Sequence, residues 1–427
     1  MTPDQDHPLR YATVNELHAR PFPLVEVPST ALFVAFKEPV AAANRDRARD
    51  RAHLLALLDL HGSSHPQPEA THFSGPLGRA VLKWESHTEF VTYTAFTPGV
   101  SARPFDPADA ALLPEGWLVS APGRRLTSAL IRIVPMPQDE SEMLRQVEDW
   151  FVPESLAMSR VVDGAAVIAG DFHIDPAGQM RFAVFVRPGT GARRVGRIVQ
   201  RLCEIEIYRA MSMLGLLRAR SLSARLNALD PALSALVSGL DMAGRSPETT
   251  LHELLAISAE LESLAVQFSF RFGATAAYEA ILNQRIEVLR EERINGRQTF
   301  AEFMMRRYDP AMRTVKSAEG RLKAMVDRAA RASELLRTRV DVERSAQNQK
   351  VLESMDRRAD LQLRLQHTVE GLSVVAISYY AVSLAAYAAY PLAHEFGLTK
   401  EMLTGALVLP VIFLVWLMIR RIRKGMH

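Results

Sequence analysis

The stretch "RLQHTVEGLSVVAISYYAVSLAAYAAYPLA", residues 364–393, decides the fold of this chain, because it joins a charged helical pattern to a long apolar run. Residues 371–392 contain no charged side chain, and about 20 apolar residues suffice to cross the hydrocarbon core of a bilayer. A short polar stretch, 393–401, leads into a second apolar run, 402–419. We therefore predict a two-helix transmembrane hairpin with a basic tail over residues 368–427. Two buried core helices are the alternative interpretation.

Basic residues orient this hairpin. The segment "RRIRKG" (420–425) follows the second run, and Arg357, Arg358 and Arg364 precede the first. Lysine and arginine concentrate on the cytoplasmic side of membrane spans, so both ends of the hairpin are expected in the cytoplasm. The N-terminus shows no basic region followed by an apolar one, so we expect no secretory signal.

The region before the hairpin divides by its proline content. Nineteen of the 24 prolines precede Pro231, so long helices are disfavoured before that residue and permitted after it. Residues 1–190 mix β-rich runs at 31–36, 89–96, 128–134, 165–170 and 180–186 with helical patterns at 44–62 and 139–151. The sequence thus predicts an α+β cytoplasmic head over 1–190.

A helical stalk is predicted over 191–367. One helix is expected to break at Asp230-Pro231, and the next begins after the capping sequence Ser246-Pro247. From 311 to 367 apolar residues fall three or four apart on a heavily charged helix, which is typical of coiled coils. Because a single exposed helix of that length is marginally stable, we expect it to pack against the preceding helices or against copies of itself. The latter would give a homo-oligomer held together by stalk and spans.

Composition excludes several classes of protein. The chain has 51 basic and 48 acidic residues and a net charge of +3, so nucleic acid is not an expected partner. Its single cysteine, Cys203, excludes an internal disulfide framework and a cysteine-rich zinc site.

Hydroxyl groups and one carboxylate share a face of the first predicted span. At 100° per residue, one half of the helix carries four candidate functional residues: Glu370, Ser373, Tyr380 and Tyr387. The other half carries a ridge of small residues at 381, 385 and 389, which favours close helix packing. The polar face could line a path through the membrane or an intersubunit contact. Alternatively, Glu370 reaches headgroup water or pairs with Arg364, and the tyrosines anchor the helix at the interface.

The head contains one distinctive polar segment, "NELHARPFP" (15–23). It concentrates four candidate functional residues in six positions: Asn15, Glu16, His18 and Arg20. Their spacing matches no catalytic unit, so both a recognition loop and a hydrogen-bonded structural arm remain open.

Two further motifs suggest chemistry that their details do not favour. The glycine-rich stretch 185–197 has Arg197 and Ile198 where a phosphate loop requires Lys and Ser or Thr, which favours a turn into a helix. Asp171, His173 and Asp175 alternate along a predicted strand and could bind a cation, but the following Pro-Ala-Gly favours a hairpin turn. No nucleophile elbow, zincin helix or Ser/His/Asp arrangement occurs. We therefore predict no catalytic residue, no metal site and no enzymatic activity, and leave the cofactor unassigned.

Two segments carry a resemblance to a known family. "HPLRYATVNELHARPFP" and "VEGLSVVAISYYAVSLAAY" resemble a bacterial family of uncharacterised membrane-anchored proteins, domain of unknown function 3422, over essentially the whole chain. The resemblance implies a location in the bacterial inner membrane and no particular activity. The layout is also similar to CorA-type magnesium channels, which have an α+β head, a stalk helix, two C-terminal spans and a basic tail. The Gly-Met-Asn signature of those channels is absent, with "AAYAAYPLA" in its place, so no pore residue is carried over.

Three functions follow from this organisation. The first is a membrane-anchored oligomer whose cytoplasmic domain acts as a binding, sensing or scaffold module. The second is a cation channel or transporter of CorA-like build. The third is a membrane-tethered enzyme, for which no residue pattern provides positive support.

Overall fold

The computed structural model describes residues 7, 9–11, 13–14, 22–40, 42–239, 246–395 and 399–425. The chain divides into two compact units. The first comprises Met1–Met242 and Glu253–Ala332, and the second comprises Ala243–His252 and Ser333–His427. The boundaries at 190 and 367 that the sequence suggests remain predictions.

A mixed sheet of nine strands forms the centre of the first unit, counted over the described residues. The strands are β1 Ser29–Lys37, β2 His72–Leu77, β3 Ala80–Ser86, β4 Phe90–Pro98, β5 Arg124–Pro135, β6 Ala157–Val161, β7 Ala166–Ile174, β8 Met180–Val186 and β9 Glu292–Arg293. Their order is β2-β3-β4-β1-β5-β8-β7-β6-β9, and only the β5–β8 pair is parallel.

Five of these strands, β1, β4, β5, β7 and β8, are the five that the sequence predicts. Each is rich in Val, Ile, Phe or Thr, the residues that fit a pleated and buried surface. The strands that it does not predict lack this signal. β2 contains Gly75 and Pro76, β3 carries charged residues, and β9 is only two residues long within a helical region.

Three short helices cover one face of the sheet: α1 Arg47–Leu60, α2 Glu115–Val119 and α3 Glu140–Trp150. Asp46 and Asp139 cap α1 and α3 by accepting hydrogen bonds from the backbone amides of Ala48 and Ser141, each at 2.9 Å. The three helices bury an apolar core with alternate residues of the strands, such as Leu82 of β3. The intervening strand residues face the opposite layer.

The opposite layer contains three long helices, α4 Ala192–Ser238, α5 Pro247–Glu287 and α7 Asp309–Glu395, and the eight-residue α6 Phe300–Arg307. Only the part of α7 up to Ala332 belongs to the first unit. Gly215 of α4 allows α5 to approach closely, since a Cβ there would lie 2.3 Å from Thr275 Oγ1. The apolar stripe predicted on α7 is buried from Val315 to Val340, with exposures of at most 6% at each position of that stripe. Its continuation at Val351, Met355 and Leu365 is 56%, 60% and 66% exposed, so packing of that part against another helix stays a prediction.

The predicted break at Asp230-Pro231 is wrong, because α4 passes through Pro231 and ends at Ser238. A proline inside a helix costs about 3 kcal/mol. The turn beyond it buries Leu233 and Leu236, and each buried leucine contributes roughly 1.5–3 kcal/mol. Asp230 also accepts hydrogen bonds from two arginines of α7. Tertiary packing therefore outweighs the local cost.

Two helices of the second unit are long and apolar enough to cross a membrane: the C-terminal part of α7, and α8 Lys400–Gly425. Their most apolar stretches are only 17% and 6% buried, respectively, whereas the core helix of a soluble protein is mostly buried. Where they contact each other, Ser378, Val382 and Ala386 of α7 and Val415 of α8 are buried.

Candidate functional site

A cavity of about 350 Å³ lies in the first unit between the sheet and the helices α4 and α5. We call it the sheet–helix cavity. Its walls are the outward-alternating residues of β1, β3 and β4, one face of α4, and the C-terminal end of α5. The residues that line it include Phe33, Lys83, Glu85, Thr94, Gln200, Arg201, Cys203, Glu204, Arg285 and Val288.

A chain of polar contacts follows the cavity wall. Lys83 is only 6% exposed, and its Nζ donates to Gln200 Oε1 at 2.9 Å and lies 3.2 Å from Glu85 Oε2. Gln200 Nε2 donates to Glu204 Oε1 at 2.8 Å. Glu204 in turn pairs with Arg285 of α5. Charged groups are rarely buried without partners. This row of polar contacts therefore allows β3 to place the Lys83 ammonium group inside the fold.

Cys203 lies on the α4 side of the cavity and is 5% exposed. Burial, with a further contribution from Glu204, raises the pKa of its thiol. The sulfur is therefore a neutral thiol at physiological pH, and a neutral thiol is a poor nucleophile. The cavity thus has polar groups that can orient a ligand and lacks an activated sulfur.

A buried ion cluster joins the β3–β4 connection to α5, so it holds two cavity walls together. Glu89 is 1% exposed and accepts hydrogen bonds from Arg271 and from the Tyr278 hydroxyl, the latter at 3.1 Å. Lys37 Nζ lies 3.8 Å from Glu89 Oε2. Burial, followed by repulsion from Arg271, lowers the pKa of Lys37, and burial raises that of Tyr278.

The opposite side of the sheet holds a buried histidine with a purely structural arrangement. His53 Nε2 lies 2.9 Å from the carbonyl of Trp117, and Nδ1 lies 3.0 Å from the Tyr93 hydroxyl. A carbonyl only accepts, so Nε2 carries the proton and Nδ1 accepts from the tyrosine. Burial lowers the pKa of His53, which keeps the ring neutral.

The segment 171–178 forms the hairpin turn that the sequence favours. Gly178 N donates to Asp175 O at 2.9 Å, and Gln179 N donates to Asp175 Oδ1 at 2.9 Å. The expected alternation on one strand face is wrong, because a bulge at Phe172, with φ 54°, separates buried Asp171 from exposed His173. Across the part of the chain that the structure describes, no group of three or more His, Cys, Asp or Glu side chains is arranged to hold a metal ion.

The candidate residues of the first predicted span lie on the apolar part of α7. The Ser373 hydroxyl donates to the carbonyl of Val369 at 2.8 Å, and the Tyr380 and Tyr387 side chains are 66% and 68% exposed. The Lys400 ammonium group lies over the Tyr387 ring at 5.2 Å. Tyr380 thus lies on an exposed face of α7, whereas Tyr387 contacts the first residue of α8.

Glu370 makes local contacts near the start of the apolar run. Gln366 Nε2 donates to its Oε1 at 3.3 Å, and His367 Nδ1 lies 3.8 Å from its Oε2. Arg364, the partner that the sequence suggests, pairs with Asp360 at 3.1 Å. The carboxylate is therefore held by its own helix.

The candidates Asn15, Glu16, His18 and Arg20 lie outside the described residues. The end of their segment is described, and it reaches the sheet–helix cavity. Phe22 is one of the lining residues. A Cβ at Gly196 would lie 1.8 Å from the Pro23 carbonyl oxygen, so only glycine allows the segment to lie against α4.

Sequence reasoning did not identify the cavity residues. One available signal was the pair Lys83 and Glu85 within the apolar strand β3, because a strand buried on both faces rarely carries charge on one of them. A second was the row of residues at 194, 197, 201, 204 and 208, which follows one face of a helix. Neither signal reveals which helix covers which strand.

The family described as "Protein of unknown function (DUF3422)" matches residues 5–426. No curated protein matches the chain.

Proposed function

The chain belongs to the DUF3422 family of proteins of unknown function, and we propose that it is a membrane-anchored binding protein. The apolar part of α7, together with α8, anchors it in the bacterial inner membrane with both termini in the cytoplasm. The sheet–helix cavity binds a small polar molecule there. The protein senses or presents that molecule without converting it chemically.

The observation that carries this proposal is the buried charge network facing the cavity. Removing an ammonium and a carboxylate from water costs several kcal/mol per ion, and an apolar pair at Lys83 and Glu85 would pack at lower cost. A cavity that retains such groups beside aromatic side chains such as Phe33 has the composition of a ligand site. The elevated pKa of Cys203 supports binding over catalysis.

Co-purification tests the binding role. Full-length protein is purified in detergent, denatured, and its released small molecules are identified by mass spectrometry. Thr94→Trp fills the cavity, whereas Thr97→Trp places the same side chain on the same strand outside it. We expect one compound enriched on the wild type and on Thr97→Trp and absent from Thr94→Trp, with both variants retaining the wild-type circular dichroism spectrum. Equal amounts on all three proteins, or no compound on any, would contradict the proposal.

The anchoring role rests on the exposed apolar surface of α8. Leu409 is 78% exposed near the middle of that helix, and arginine at the centre of a span costs about 2.5–3.5 kcal/mol of insertion free energy. We expect Leu409→Arg to lower the fraction of full-length protein that resists carbonate extraction from membranes. The matched change Leu217→Arg, at a 62% exposed position of α4, should have no such effect. Wild-type protein recovered without membranes or detergent would contradict anchoring.

Self-association through the first span is a second element of this proposal. In lipid, the exposed hydroxyls of Tyr380 and Tyr387 would find few hydrogen-bond partners, which favours a second copy facing them. This arrangement also supports the alternative function, a CorA-like cation channel or transporter, since a ring of first spans would direct hydroxyls inward. Native mass spectrometry of the detergent-extracted protein separates these functions. A monomer would contradict both self-association and the channel or transporter. A dimer would contradict only the channel or transporter.

A further inference from the structure

Four arginines surround a second concavity, of about 630 Å³, beside the sheet–helix cavity. Arg194, Arg197 and Arg201 lie three and four residues apart and therefore on one face of α4. Arg290 completes the group from the loop after α5. We call this concavity the arginine groove. Two of them, Arg194 and Arg197, belong to the glycine-rich stretch 185–197, and the fold gathers all four arginines around one space.

The arginine groove carries an excess of positive charge. Asp163 accepts from Arg194 at 3.4 Å and from Arg290 at 2.5 Å, and Glu287 adds a second carboxylate at the rim. Four guanidinium groups and two carboxylates leave a net charge of +2. Within the described part of the chain, Arg197 forms no ion pair.

Arg201 is the most constrained member of the group. It is half-buried and donates to the carbonyl of Val288 at 3.1 Å. Burial, followed by repulsion from Arg197, lowers the pKa of its guanidinium. Attraction by Glu204 opposes this shift, and Arg285 and Arg290 add to the repulsion. Holding like charges together costs free energy, and a bound anion would remove that cost.

The arginine groove and the sheet–helix cavity share a wall. Arg201 and Val288 line both spaces and are joined by a hydrogen bond at their common boundary. A molecule with an anionic group against the arginines and its remaining atoms inside the cavity would cross this boundary and take the place of the Val288 carbonyl as the partner of Arg201. Inside the cavity, Lys83 and Glu204 offer a donor and an acceptor to a polar body. This arrangement gives the two spaces different roles in holding one ligand.

The charge selects the chemistry of the anionic group. A phosphate monoester carries about −1.5 to −2 charges at pH 7, close to the excess in the arginine groove, whereas a carboxylate or a phosphodiester carries only one. Guanidinium groups also match phosphate oxygens with paired hydrogen bonds. Arg194 lies in the first turn of α4, where the helix dipole is positive.

We propose that the arginine groove binds the phosphate group of a soluble phosphate monoester whose body occupies the sheet–helix cavity. This inference rests on the proposed binding function and specifies its ligand class. The binding energy comes mainly from the arginine groove, and the cavity selects among phosphorylated molecules by the shape and polarity of the body.

Inorganic phosphate is the probe for the arginine groove. Full-length protein in a neutral detergent is titrated into phosphate, and binding is followed by broadening of the phosphorus-31 NMR line at constant ionic strength. We expect saturable broadening that sulfate reverses and chloride does not. Arg197→Gln and Arg201→Gln should each weaken binding about tenfold, since each removes a charge-assisted hydrogen bond.

Arg220→Gln is the matched control, because Arg220 is an exposed arginine of α4 outside the arginine groove. Since Arg197 is exposed, its replacement should leave the fold intact, and an unchanged thermal midpoint of Arg197→Gln verifies this. Absence of saturable broadening in the wild type, or equal weakening by Arg220→Gln, would overturn the proposal.

Two further comparisons separate the remaining outcomes. Phosphate binding is measured in nanodiscs of phosphatidylcholine alone and in nanodiscs that also contain phosphatidylglycerol. A site for soluble phosphate gives the same affinity in both. Weaker phosphate binding in the anionic discs would show that lipid headgroups occupy the arginine groove, and would overturn the proposal of a soluble ligand. The co-purifying compound should be a phosphate monoester that Arg197→Gln loses. If Thr94→Trp loses the compound and Arg197→Gln retains it, the phosphate assignment fails and the binding function stands. Phosphate binding by the wild type without any co-purifying compound contradicts the binding function instead.

Discussion

Replacing Glu89 by glutamine should destabilise the first unit far more than removing a carboxylate from an exposed ion pair. Glu89 is 1% exposed and is the common acceptor for Arg271 and Tyr278. Arg271 and Lys37 have side-chain exposures of only 14% and 9%. Glutamine preserves the shape but leaves these two cations without a countercharge in a poorly solvated region.

The expected magnitude follows from that burial. Removing one partner of a buried ion pair costs about 3–5 kcal/mol, and the remaining amide oxygen of glutamine places the expectation at about 3 kcal/mol. For a domain of this size, that corresponds to a fall of roughly 5–10 °C in the thermal midpoint. The control is Glu260→Gln, which breaks the exposed 2.7 Å pair with Arg225 between α4 and α5. Exposed pairs contribute less than about 1 kcal/mol.

Tryptophan fluorescence during thermal unfolding of the full-length protein measures both changes, since Trp84, Trp117 and Trp150 belong to or pack against the core of the first unit. A double-mutant cycle with Arg271→Gln should give a coupling of at least about 1 kcal/mol. If Glu89→Gln shifts the midpoint no more than Glu260→Gln does, the ion cluster does not hold the β3–β4 connection to α5.

Three other predictions concern single side chains. Burial lowers the pKa of His53 in the folded state. The stabilising contribution of neutral His53 is therefore complete above the pKa of about 6.5 that a histidine has in the unfolded chain, and it is lost as the pH falls below that pKa. His53→Gln should flatten the dependence of the thermal midpoint on pH between 6.5 and 5. Gly215→Ala should lower the free energy of unfolding, measured with urea, by about 1–3 kcal/mol, because the added methyl group would meet Thr275. In the control Gly273→Ala no atom lies within 4 Å of the added methyl group, so this substitution should be neutral or stabilising. Iodoacetamide should alkylate Cys203, the one cysteine of the chain, more slowly than it alkylates a free thiol. Because burial raises the pKa of the Cys203 thiol, the alkylation rate should still rise with pH above 9. An alkylation rate that reaches a plateau near pH 8.5 would contradict this prediction.

Local sequence signals were sufficient where a segment's own composition decides its structure. The strand signals of β1 and β8 follow from closely spaced Phe and Val residues, which favour a pleated, buried surface. The buried stripe of α7 from Val315 to Val340 follows from apolar residues three and four apart, whereas the same pattern is exposed at Val351, Met355 and Leu365. At Pro231 the local signal was misleading, because packing in the following turn outweighs the intrinsic penalty of a proline.

The candidate site depended on contacts that no local pattern contains. Lys83 and Gln200 are 117 positions apart, and Glu89 and Arg271 are 182 apart. An alternating strand reveals two faces but not the layer that covers each of them, so Lys83 could not be distinguished from a solvated lysine. The arginines of α4 were visible as a helical row, whereas the space that they enclose requires Arg290 from another element.

The sequence by itself determined the composition-driven features of this protein: an α+β region, a helical region that begins near residue 190, and two helices long and apolar enough to cross a membrane. These features depend on the solvation and backbone preferences of neighbouring residues, which any segment carries with it. Only the tertiary structure decided where α4 and α5 lie over the sheet, and hence that a cavity with buried charges and an arginine groove exists. Both depend on side chains more than a hundred residues apart being brought within hydrogen-bonding distance, and packing of the whole unit determines that distance.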